Sequence, residues 1–236
     1  MSKRRVLLTG AAGGVAQLLL PGLVDSYDLV LTDRRPVPGG VTGDLADPAF
    51  LAKVTEGVDA IVHLAANANP QATWDELRIP NVEVVASLLA TGVSRIVLAS
   101  SGHAMGQYVT NARVPVDPDW PVAPCCAYGA TKGFAEALGQ AHAYRTATSV
   151  VSLRLGATSA EPLATSALGG WLGPADLRQL VLCALEADVR YEVCPGVSAN
   201  TRSEWDVRNA IGYQPTLDSE MYADGVPVDE SWGLCR

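Results

Sequence analysis

Short, almost wholly apolar runs alternate along this chain with segments of helical spacing, and that alternation leaves few architectures open. Arg5-Val6-Leu7-Leu8-Thr9, Leu29-Val30-Leu31-Thr32, Ala60-Ile61-Val62-His63-Leu64, Arg95-Ile96-Val97-Leu98-Ala99 and Ser149-Val150-Val151-Ser152-Leu153 read as strands, and Tyr191-Glu192-Val193-Cys194 as a sixth. Runs that are apolar along their length, rather than at every second position, suit strands covered on both faces. Between them, Val15 to Val24, Asp47 to Val54, Val82 to Thr91, Ala127 to Tyr144 and Ala175 to Ala187 carry helical patterns. Pro21 is expected to end or kink the first of these early, and Gly92 to stop the third. Strand and helix in strict alternation predict an α/β fold with a doubly wound parallel sheet and right-handed crossovers. With no internal repeat and no linker, residues 1–236 read as one domain.

Composition narrows the class further. With 236 residues the chain is long enough to bury a core without disulfides or metals. At 48% hydrophobic and 18% charged residues, intrinsic disorder is excluded. The net charge of −8, with no basic run beyond Lys3-Arg4-Arg5, argues against a nucleic-acid partner, whose phosphates demand clustered positive charge. No apolar stretch reaches the roughly 20 residues needed to span a bilayer, so no membrane association is expected. Lys3-Arg4-Arg5 before Val6-Leu7-Leu8 looks like the start of a secretory signal, but Thr9, Gly10, Gly13, Gly14 and Gln17 interrupt it. The five cysteines form no C-x-x-C and, in sequence, no cluster with the three histidines. They read as reduced thiols of a cytoplasmic protein with no metal site, the adjacent Cys125-Cys126 included.

Two motifs carry chemistry. Gly10-Ala11-Ala12-Gly13-Gly14-Val15-Ala16 joins the first strand to the first helix with G-x-x-G-x-x-A spacing. Alone it is a tight turn. In this position, glycines let the backbone approach a pyrophosphate, which the positive end of the helix dipole then stabilises. Asp33, about 20 residues beyond, ends the second strand where a carboxylate can accept hydrogen bonds from a ribose. That favours NAD over NADP, while Arg34 and Arg35 supply guanidinium groups that could grip a 2′-phosphate. The second motif is Tyr128-Gly129-Ala130-Thr131-Lys132 at the start of the longest helix. Four residues apart, the phenol and ammonium share a helix face, and a nearby cation favours the phenolate that a general base requires.

Together these features resemble the extended branch of the short-chain dehydrogenase/reductase superfamily, which includes NAD-dependent sugar epimerases, dehydratases and dehydrogenases. The resemblance adds Gly43-Asp44-Leu45, His63-Leu64-Ala65-Ala66, Asn81, Ser100-Ser101 and Arg154-Leu155-Gly156, each at the strand end where the family has it. It implies NAD held by Gly10, Ala12, Gly13, Gly14, Val15, Asp33, Arg34, Asp44, Leu45, Leu64, Ala65 and Ala66. Ser101 would be the catalytic serine, Tyr128 the proton acceptor, and Lys132 the grip on the nicotinamide ribose. A dimer or higher homo-oligomer through the long helices, and a small substrate lobe built mostly from about residue 156 onward, are further implications.

Ala99-Ser100-Ser101-Gly102-His103-Ala104-Met105-Gly106-Gln107-Tyr108 and Arg154-Leu155-Gly156-Ala157-Thr158-Ser159-Ala160-Glu161-Pro162 are most similar to the uronate dehydrogenases. By that resemblance NAD oxidises the anomeric hydroxyl of a uronic acid or related monosaccharide to a lactone. Asn67, Ser101, Gly102, His103 and Arg154 would contact the sugar, Arg154 offering its planar fork to a carboxylate. Gly102 stands where the family commonly has Asn, and Asn67-Ala68-Asn69-Pro70 replaces a Gly-rich, Ser-containing run. An epimerase or dehydratase with tightly bound NAD, and a non-catalytic NAD-binding protein, remain alternative readings.

Overall fold

The computed structural model describes residues 3–229, so the fifth cysteine, Cys235, lies outside the described residues. Strand β1 (Arg5–Thr9) leads through the glycine turn into α1 (Gly14–Leu23) and β2 (Asp28–Asp33). Then follow β3 (Val41–Thr42), α2 (Pro48–Thr55), β4 (Ala60–His63), α3 (Trp74–Arg78) and α4 (Val84–Leu89). The second half holds β5 (Arg95–Ser101), α5 (Gly106–Thr110), α6 (Ala127–Arg145), β6 (Ser149–Leu155), β7 (Ala157–Thr158), β8 (Trp171–Leu172), α7 (Pro174–Glu186) and β9 (Tyr191–Gly196). Seven strands form a parallel sheet in the order β3-β2-β1-β4-β5-β6-β9. The doubly wound fold expected from the alternation is the observed one.

The strand side chains divide by their period of two. Val6 and Leu8 of β1 join Val62, Val97 and Val151 in a core beneath α1 and α7. Leu7 turns the other way, to Ile61, Ile96, Leu98 and Val150 beneath α4 and α6. Leu7 is fully buried, so truncation to Ala is expected to cost about 2–5 kcal/mol.

Several boundaries differ from expectation. Helix α1 passes through Pro21 to Leu23 rather than ending before it. A Pro so near the end removes a single helical hydrogen bond, and burial of Leu19 and Leu23 compensates. Asp47 is the N-cap of α2, its side chain accepting from the Ala49 N–H at 2.9 Å, and not a helical residue. The helix expected from Val82 is preceded by a π-helical turn over Ile79–Glu83.

Residues from about 156 onward also build part of the main α/β unit: Pro174–Glu186 packs beside α1, and Tyr191–Gly196 extends the main sheet against β6. β7 and β8 form a separate two-stranded sheet. A separate apolar cluster of Met105, Val109, Val116, Val197 and Trp205 ties the segment after β5 to the segment after β9. Trp171 is buried, its indole N–H donating to the Ser159 carbonyl at 3.2 Å.

Candidate functional site

The strand order reverses between β1 and β4, and parallel sheets bind ligands in the crevice at that point. A cavity of about 630 Å³ lies there, lined by Gly10, Gly13, Asp33, Arg34, Asp44, Leu45, Leu64, Ala65, Ala66 and Asn67 among others. Gly10 has φ +70°, and a Cβ on it would meet the Ala65 nitrogen at 2.7 Å. Only glycine permits the β1 turn to lie against the segment after β4. Gly13 N-caps α1, no side chain caps its first turn, and no acidic residue stands there. The positive end of the dipole is thus left for an anion. Gly14 opens that helix, while Val15 packs against the core and Ala12 contributes backbone only.

Asp33 lines the cavity at the end of β2. Its carboxylate accepts from the Ala12 N–H at 3.0 Å and the Arg35 N–H at 2.9 Å. Burial opposes its ionisation, but these hydrogen bonds and the Arg35 charge outweigh it and hold the carboxyl below its ordinary value. Arg35 also donates to the Ala12 carbonyl at 2.9 Å, which ties it to the turn, and both Arg34 and Arg35 line the cavity. The glycine cradle, the uncapped helix end and Asp33 suit a dinucleotide.

Ser101, Tyr128 and Lys132 gather at the end of β5. Ser101 and Tyr128 are buried, and the serine hydroxyl acts on the phenol as a hydrogen-bond partner. Lys132 Nζ lies 5.6 Å from the Tyr128 ring centroid and donates to the Ala99 carbonyl at 2.7 Å. Burial lowers the ammonium to about 8, against the opposing pull of Glu136. Burial raises Tyr128 above its ordinary value, the Cys126 sulfur adds to that, and Ser101 only partly offsets it.

Position 129 explains how these groups meet. A Cβ on Gly129 would lie 2.2 Å from the His103 carbonyl oxygen, so α6 can touch the 3₁₀ turn Gly102–Ala104 only through a glycine. The His103 ring consequently stands edge-on to Tyr128, with centroids 5.5 Å apart. Ser101 accepts from the His103 N–H at 3.2 Å, and Gly102 is buried in the same turn. Asn81 joins this group to the cavity. Its carbonyl accepts from the Asn67 N–H at 2.8 Å, and its amide donates to Thr131 Oγ1 at 3.1 Å.

Arg154 requires correction. Expected to present its fork to a substrate, it presents it to Glu136, with Nε 3.0 Å from Oε1 and Nη2 2.8 Å from Oε2. Nη1 donates to the Pro118 carbonyl at 2.9 Å, and Ser100 donates to Glu136 Oε1 at 2.5 Å. Both members of the pair are buried. Sequence reasoning missed Glu136, although Tyr128, Lys132 and Glu136 recur at intervals of four and share one helix face. It also separated histidine from cysteine, whereas the fold brings His103 against Cys125 and Cys126.

A family model for the NAD-dependent epimerase/dehydratase family matches residues 6–162, more than half of the chain. The chain belongs to that family. Its cofactor is accordingly NAD. Among its relatives is an NAD-dependent glucose-6-phosphate dehydrogenase from Haloferax volcanii, 33% identical over 96% of this chain and 98% of the relative. A uronate dehydrogenase from Pseudomonas putida is also 33% identical, over 94% of this chain and 87% of its own. Among solved structures, a mutant uronate dehydrogenase from Agrobacterium tumefaciens complexed with NAD superposes with a TM-score of 0.86 at 27% identity, covering 95% of this chain and 89% of that one. This family member is an NAD-dependent oxidoreductase acting on a CH–OH group. None of its described helices is long and apolar enough to cross a membrane.

Proposed function

We propose that the protein oxidises the anomeric hydroxyl of a monosaccharide, a uronic acid or a related sugar, to its lactone. The observation that carries this reading is the convergence of Ser101, Tyr128 and Lys132 at the C-terminal end of β5, joined through Asn81 to the cavity that suits a dinucleotide. NAD, when bound, would supply the hydride acceptor and a positively charged ring. Tyr128 as phenolate takes the hydroxyl proton, and Ser101 donates a hydrogen bond to the same oxygen. Lys132, anchored on Ala99, holds the ribose and adds positive charge near the phenol.

Burial raises the Tyr128 phenol above its ordinary value, and the hydrogen bond with Ser101 works against that shift. His103 and Asn67 stand at the margins of this group as sugar contacts. With its fork on Glu136, Arg154 positions the β6 end rather than reading a carboxylate.

The test is a turnover screen of uronic acids, neutral aldoses and sugar phosphates with NAD and NADP, read as reduced cofactor and lactone. Reduction of NAD with stoichiometric lactone from at least one aldose or uronate is expected. Tight NAD binding with no reduction by any of them would overturn the proposal.

A further inference from the structure

Beside Tyr128 lies a group of three donors, of which the proposed oxidation uses His103 alone. His103 belongs to the 3₁₀ turn after β5, and Cys125 and Cys126 immediately precede α6. The imidazole Nδ1 is 3.4 Å from Cys125 Sγ and 3.5 Å from Cys126 Sγ, and the three donor atoms all lie within 4.8 Å of one another. A tetrahedral ion bonded at about 2.05 Å to an imidazole nitrogen and about 2.3 Å to a thiolate holds the two ligand atoms about 3.6 Å apart. The observed separations are already close to that spacing.

The scaffold around these donors is firm. The Cys125 N–H donates to the His103 carbonyl at 3.2 Å, which fixes the two backbones against each other. Cys126 is the N-cap of α6, its sulfur accepting from the Gly129 N–H at 3.4 Å, and Gly129 in turn admits the His103 backbone. All three residues are half-buried, so the group is open to an ion from solvent. Two sulfurs and one imidazole are a soft donor set, which selects zinc-like ions over magnesium or calcium.

We propose that His103, Cys125 and Cys126 form a three-ligand site for a soft divalent cation of the zinc class, with a fourth position open. Each thiol gives up its proton as its sulfur binds, so one ion enters with release of two protons and the site carries no net charge. Occupancy pins the imidazole 5.5 Å from the Tyr128 ring and, on the proposed function, takes His103 away from the sugar. The ion is therefore an inhibitor of the oxidation, not a participant in it.

The experiment uses the full, reduced chain. Zinc is titrated in competition with a chromophoric chelator, and cobalt is added in parallel to report sulfur ligands by its thiolate charge-transfer band. One ion per chain and a clear charge-transfer band are expected. Cys125→Ser should weaken binding by more than the roughly 10–100-fold cost of an outer-shell change. It should keep its basal turnover, and its turnover should no longer respond to zinc concentrations that reversibly silence the parent protein. Stoichiometric binding that survives Cys125→Ser combined with Cys126→Ser would overturn the site. So would cobalt binding to the parent chain without a thiolate band, a readout that needs no variant to fold.

Discussion

Glu136 holds Arg154 through both carboxylate oxygens, at 3.0 and 2.8 Å, across the buried contact between α6 and the end of β6. A buried charge left without its partner is costly, whereas an apolar pair of similar size is not. Glu136→Ala is expected to lower stability by about 3–5 kcal/mol, and Glu136→Leu combined with Arg154→Met to recover most of it. Urea unfolding midpoints at constant slope check this. Additive losses in the double variant would show that the two residues are not coupled.

Tyr128→Phe removes the proposed base while leaving the ring that packs with Ala72 and Leu77. Turnover should fall by about 10²–10⁴ with the NAD dissociation constant unchanged. Steady-state rates and calorimetric NAD titration measure the two quantities separately. Undiminished turnover would remove Tyr128 from the mechanism.

Gly129→Ala would force α6 away from the His103 carbonyl, because a Cβ cannot occupy a position 2.2 Å from that oxygen. A displacement near 1 Å at a reacting group can cost about 10²-fold in rate. Gly133→Ala is the control, since its Cβ would make only an ordinary 3.5 Å contact with Val122. Rates and melting temperatures should separate the two variants, with position 133 tolerant.

Asp33→Ala removes the acceptor at the end of β2 and frees Arg35 from its ion pair, in which Nε lies 3.6 Å from Oδ1. Loss of a hydrogen bond to a charged group should weaken NAD binding by about 10–100-fold. NADP, relieved of the carboxylate's repulsion, should lose much less. Equal losses for both cofactors would contradict the placement of Asp33 at the ribose.

His63 sets an acid limit on stability. Its Nδ1 lies 2.8 Å from Thr9 Oγ1, Nε2 is buried without a hydrogen-bond partner, and burial together with Lys132 lowers the imidazole to about 3. In the unfolded chain it titrates near the ordinary 6.5. Between those values the unfolded state binds a proton that the folded state refuses. Stability is therefore fully present above 6.5 and declines on acidification toward 3, by at most about 1.4 kcal/mol per pH unit from this group. Unfolding midpoints across pH 7 to 4 should show a flatter decline in His63→Asn than in the parent.

The alternation of apolar runs was enough to predict the sheet, because covered strands and amphipathic helices are written within a few neighbouring residues. The glycine turn, Asp33 and the Tyr128–Lys132 spacing were legible for the same reason, each depending on local backbone geometry. The partner of Arg154 was not. β5 and β6 pair in register with Ser100 opposite Arg154, and α6 crosses above with Glu136, so three residues 18 to 54 positions apart meet in one buried network. Likewise the meeting of His103 with Cys125 and Cys126 depends on Gly129 letting two chain segments touch. Sequence by itself therefore determined the fold, the family resemblance and the residues proposed to react. Tertiary packing alone decided which long polar side chains were already committed to one another, because burial obliges each of them to find a partner and distance along the chain does not say which.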